Sequence, residues 1–119
     1  MEENPKKYDL EERTYIFAKD CRNLVGRFTQ TVANKEYGKQ LIRSSGSQAA
    51  NYIEANEALG KKDFAMRIKI CRKETKESCL WLRLCDVVQN LDMEKERGRL
   101  LGEAGELRNI FTAILRKTS

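Results

Sequence analysis

Between Asp63 and Asn90 two apolar stripes run side by side, both at helical spacing. One is Phe64, Ile68, Cys71, Thr75, Ser78, Leu82, Cys85; the other is Ile70, Glu74, Glu77, Trp81, Leu84, Val88 and, just beyond, Leu91. Steps of three and four place each set on one face of an α-helix. No glycine or proline interrupts the stretch. The spacing therefore predicts one long helix that buries a broader face than a single seam requires. Such a helix needs other helices around it.

The rest of the chain supplies them. Leu10, Thr14, Phe17, Cys21, Leu24 and Phe28 recur at 4-3-4-3-4 spacing, widened by Ala18, Val25 and Val32. This predicts a first helix over about 9–32, with Asp9 as N-cap and Glu11 and Glu12 in the first turn. Gly26 weakens it by about 1 kcal/mol relative to Ala and suits a close approach of a neighbour. Asn34 suits the cap of a second helix that reaches Ala58, with Gly60 as the residue that ends it. Asp92 suits the cap of a fourth helix over about 93–117. Its seam is Leu100, Ala104, Leu107, Phe111 and Ile114, with Leu101, Ile110 and Leu115 alongside; Gly98, Gly102 and Gly105 weaken its first half. Residues 1–8 read as a tail and residues 9–119 as a single domain. Long helices with short connections predict an all-α fold, an antiparallel up-down-up-down four-helix bundle.

The residue inventory excludes most chemistry. There is no histidine, and Cys21, Cys71, Cys79 and Cys85 show no C-x-x-C spacing. No Cys/His zinc pattern, no histidine-assisted nucleophile and no glycine-rich phosphate loop is present. The cysteines read as small buried residues of a reducing compartment. The expectation is a protein without enzymatic activity, cofactor or metal. Met1–Tyr8 has no apolar core segment, and no run approaches the ~20 apolar residues of a membrane span. A soluble, cytoplasmic protein with no membrane partner is expected.

Charge points to a partner instead. The net charge is +5. Lys61–Cys85 holds eight basic residues and three acidic ones, which leaves the remainder of the chain balanced. Lys62, Lys69, Arg72, Lys76 and Arg83 fall on one face at 7-3-4-7 spacing. Such a stripe is the footprint expected for a polyanion, and it contacts phosphates rather than reading bases.

A polar row crosses the second helix: Gln40, Arg43, Ser47, Asn51 and Glu54 at 3-4-4-3 spacing, among small residues from Ser44 to Ala50. Glu74 and Glu77 interrupt the second apolar stripe. Three readings stay open for Arg43, Ser47, Asn51, Glu54, Glu74 and Glu77. They form a buried network in which Arg43 pairs with a glutamate, because buried charge is costly unless paired. They line a subunit interface or channel. Or they are catalytic or metal ligands, for which Glu74-x-x-Glu77 alone supplies too few donors.

Gln40-Leu41, Arg43-Ser44, Ser47, Ala50-Asn51 and Glu54, followed by Asp63-Phe64, Lys73-Glu74, Glu77 and Trp81-Leu82, resemble the bacterial 23S rRNA intervening-sequence proteins. The resemblance covers Gly38–Cys85 closely and the outer helices by pattern. It implies an antiparallel four-helix bundle that assembles as a homopentamer around a central channel, with an RNA-related role and no catalytic residues to carry over. A related bundle, the accessory variability protein of diversity-generating retroelements, is similar in fold and works with a reverse transcriptase. This chain departs from the family where Asn56-Glu57 follows Glu54-Ala55; many members have Glu-Gly, which bears on the turn geometry. The combined expectation is an oligomer that binds RNA or DNA through the basic face. The alternative is an adaptor that recruits an RNA-processing or reverse-transcribing protein.

Overall fold

The computed structural model describes residues 10–118. The expected Asp9 cap and the tail at 1–8 lie outside the described residues. Four helices follow one another: α1 (Leu10–Val25), α2 (Val32–Asn56), α3 (Lys61–Leu84) and α4 (Leu91–Thr118). Each packs on its neighbours in sequence, and α4 closes back onto α1; the diagonal pairs do not meet. Successive contacts run in opposite directions along paired helices. Thr14 meets Gln48 and Glu11 meets Asn56, while Ser44 meets Ser78 and Asn51 meets Arg67. The arrangement is an antiparallel up-down-up-down four-helix bundle, as expected.

The predicted seams form the core. Leu10, Thr14, Phe17, Cys21, Leu24 and Phe28 are all buried, as are Ile68, Cys71, Thr75, Ser78, Leu82 and Cys85. So are Leu100, Ala104, Leu107 and Phe111 of α4. The second stripe of α3 is different. Glu74 is buried and Ile70, Glu77 and Trp81 are half-buried, but Leu84, Val88 and Leu91 are exposed.

The helix ends correct the sequence reading. α1 stops at Val25 rather than near residue 32, in a tightened turn where Arg27 and Phe28 bond back to Leu24 and Val25. The cap of α2 is Thr31, whose hydroxyl accepts from the Asn34 amide at 3.0 Å. Asn34 is freed for a longer reach. Its Nδ2 donates to Thr29 O and to Asp86 O, each at 3.1 Å, and its Oδ1 accepts from the Asp86 amide at 2.8 Å. One side chain thus ties the α1–α2 loop to the α3–α4 loop. It also claims the amide that a longer α3 would have bonded to Leu82, so α3 ends at Leu84 instead of near Asn90. α2 ends at Asn56, and Gly60 is the N-cap of α3, not the terminator of α2; its φ of −160° is ordinary extended backbone. For α4 the cap is Asn90, whose Oδ1 accepts from the Met93 amide at 3.0 Å, with Asp92 inside the first turn.

Close approach also falls on a different glycine. A Cβ at Gly26 meets only ordinary contacts, whereas one at Gly38 sits 2.8 Å from Val25 Cγ1. Gly38 is where α1 and α2 come nearest. Val25 is β-branched and yields little at χ1, so the overpacking cost of about 1–3 kcal/mol outweighs the ~1 kcal/mol gained in helix propensity. Gly38→Ala is expected to lower the unfolding free energy by about 1 kcal/mol. Gly102→Ala meets open space and is expected to raise it by up to ~1 kcal/mol. Urea unfolding of the two variants measures both, and an equal gain in each would contradict the packing described at Gly38.

Candidate nucleic-acid interface

α3 carries Lys62, Lys69, Lys76 and Arg83 at steps of seven residues. Seven residues are nearly two turns, so the four lie in one row that drifts about 20° per step. At 1.5 Å per residue the row is about 30 Å long. All four are exposed. None forms a salt bridge with another described residue. Arg72 stands apart: it is half-buried and donates from Nη1 to Thr112 Oγ1 on α4 at 3.4 Å. Three arginines of α1 and α4 are instead neutralised. Arg13 grips Glu103 at 2.7 Å, Arg97 grips Glu94 at 2.6 Å, and Arg99 bridges Asp20 at 2.8 Å and Glu96 at 2.7 Å. These pairs hold the Glu96 carboxyl below, and the three guanidinium groups above, their ordinary ionisation ranges. The chain's net excess of positive charge lies on α3.

The polar row of α2 lies on the other side of α3. It is a rim, not a buried network. Arg43 is 58% exposed; its Nη2 is 3.9 Å from Glu74 Oε1 and 3.5 Å from Glu77 Oε1. These distances give Coulombic attraction more than hydrogen bonding, and Glu74 Oε1 has no hydrogen-bond partner. Below Arg43 on the rim, Asn51 Nδ2 donates to Ser47 O at 3.0 Å and Ser47 Oγ at 3.2 Å, and its Oδ1 accepts from Arg67 at 3.0 Å. Glu54 is exposed and joins none of these contacts. Beside this row the buried polar groups of α2 are instead Ser44, Ser45 and Gln48, with Asn34 near its start. The reason is energetic: the serine hydroxyls bond to nearby carbonyls and Gln48 Nε2 donates to Thr14 O and Ser45 O, leaving only its Oε1 unpaired, while an arginine is expensive to bury.

Two partners were not visible in the sequence. Tyr37 stacks on Trp81 with ring centroids 6.0 Å apart, and Thr112 contacts Arg72. Both depend on which helices touch, and no local spacing reports that.

A family model described as 23S rRNA-intervening sequence protein matches residues 6–113. The chain belongs to that family. A solved relative in fold is a protein of unknown function from the S23 ribosomal protein family of Bacteroides thetaiotaomicron, a crystal structure at 1.70 Å. It is 25% identical, with a TM-score of 0.73 over 88% of this chain and 96% of that one. No protein of curated function matches.

In this 23S rRNA-intervening sequence protein the reactive side chains are withdrawn. Cys21, Cys71 and Cys85 are buried, Cys79 is half-buried, and all four are free thiols. Burial pushes each thiol up, Cys71 to about 12. The described residues contain no group of three metal-ligating side chains, and no described helix is long and apolar enough to cross a membrane. Because the thiolate is the nucleophile, iodoacetamide at pH 8.5 is expected to leave Cys21 and Cys71 unlabelled in the folded protein and to label them on unfolding. Rapid labelling of both in the native state, read by mass spectrometry, would contradict their burial.

Proposed function

We propose that this protein binds RNA or DNA without catalysing a reaction, through the basic face of α3. The observation that carries the reading is the row Lys62, Lys69, Lys76 and Arg83, exposed and free of salt bridges to described residues. Arg72 extends the row towards α4. A row of flexible cations takes phosphates in turn and has little means of reading a sequence. The family description, which names an RNA, supports the same direction. Affinity then falls with salt, by about 0.7 log unit per log unit of salt for each phosphate neutralised on a single strand. Gel shifts at low and moderate salt are expected to show this. Replacement of Lys62, Lys69 and Lys76 by Glu is expected to abolish the shift. Binding unaffected by the triple replacement would refute the assignment.

A second observation bears on partners. Met66, Leu80 and Leu84 are exposed beside the basic row, and exposed apolar side chains on a helix suit protein contact. We assign them to contact between copies, in the homopentamer that the family resemblance implies. Light scattering is expected to give five times the 13.8 kDa mass of the chain. A monomer would remove the pentamer and leave the apolar ridge to a different protein, as in an adaptor.

A further inference from the structure

The cations of α3 do not all face open solvent. Lys69 and Arg72 line a groove between α3 and α4 with a volume of about 460 Å³, closed on the other side by Thr112 and Arg116. Among the described residues no carboxylate lines it. Arg72 is half-buried, and its Nη1 makes a long contact of 3.4 Å with Thr112 Oγ1. That contact uses one of its five N–H donors. The Thr112 oxygen accepts from Arg72, so its own proton is available to an anion. Thr118 also lines the groove, but its hydroxyl donates to Leu115 O at 3.0 Å and has no proton to offer. The end of α4 brings the partial negative charge of its last carbonyls, which Arg116 and Lys117 in the last turn offset.

We propose that this groove is the seat for one phosphate group of the bound strand, held by Lys69, Arg72 and the Thr112 hydroxyl. The proposal rests on the nucleic-acid reading and sharpens it. The rest of the α3 row is an open line of mobile lysines, whereas here a guanidinium is half-buried and a hydroxyl from a second helix faces it. A planar guanidinium loses less freedom when it binds an oxyanion than a lysine does. The seat sets the register of the strand, and Lys76 and Arg83 then follow its backbone by charge alone. Lys69 to Lys76 spans about 10 Å along the helix.

The test uses the full chain and two probes. Inorganic phosphate, titrated against the labelled protein by NMR, is expected to shift the Arg72 side-chain and Thr112 amide signals with saturation. A short single-stranded RNA, followed by fluorescence anisotropy at low salt, is expected to bind Thr112→Val about tenfold more weakly and Thr112→Ser within about twofold of the original. Circular dichroism checks that both variants fold. Phosphate that leaves those signals unmoved overturns the seat. So does Thr112→Val binding RNA unchanged while Lys76→Ala weakens it, an outcome that leaves the nucleic-acid reading standing. Saturable phosphate binding at Thr112 without any RNA binding overturns the reading and keeps the seat.

Discussion

The molecule turns on a pair of hydroxyls. Ser44 of α2 and Ser78 of α3 meet at 2.7 Å in the core, and each also reaches a carbonyl of its own helix, Leu41 O at 3.5 Å and Glu74 O at 3.0 Å. Both oxygens are satisfied without charge or water, so burial of the pair carries little of the usual polar penalty. Small side chains let the two helix axes draw together, and this is the most extensive seam of the bundle. Its rotation decides the rest. With Ser44 and Ser78 inside, Arg43 and Ser47 are turned to the rim beside Glu74 and Glu77, and the lysines of α3 are turned away from α2 altogether.

The opposite seam is held by different forces. α1 and α4 share the least extensive contact, and it is laced by Arg13 with Glu103 and Arg99 with Asp20. Partly exposed ion pairs contribute modestly to stability, yet they have an electrostatic consequence. They pair charge on the α1–α4 side, and the net excess of positive charge lies on α3. The loops add a third kind of tie through Asn34, which makes its three hydrogen bonds to backbone groups of two separate loops.

Periodicity made the interior legible. Residues such as Phe17, Leu107 and Phe111 lie at positions that only a 3.6-residue repeat brings together, and all are buried. The helix ends were harder for an identifiable reason. Thr31 and Asn34 are both good caps, and local sequence cannot say that Asn34 is needed 52 positions away at Asp86. The same contact ends α3 where no glycine or proline marks a stop. The polar row was legible as a row, but not as a rim. Arg43 and Ser44 are adjacent, and a rotation of one residue about the helix exchanges an exposed arginine for a buried serine. The basic face needed no tertiary information, because lysine at seven-residue steps in a helix lies on one side whatever that helix packs against. Thr112 did need it, since nothing in α4 alone marks it as a partner of Arg72.

The two sides of α3 therefore differ in what they attract. Towards α2 the surface holds Glu74 and Glu77, and it leaves Glu74 Oε1 and Trp81 Nε1 without hydrogen-bond partners. A buried polar atom left unpaired costs about 1–3 kcal/mol, and because both atoms are buried this cost is carried inside the α2–α3 seam. A phosphate chain offers only acceptors, and the two carboxylates repel it. Towards α4 the surface holds Lys69, Arg72, Lys76 and Arg83, with Thr112 across the groove. There an anion gains and a protein cation does not. The two sides of α3 thus differ in charge: carboxylates lie towards α2 and cations towards α4.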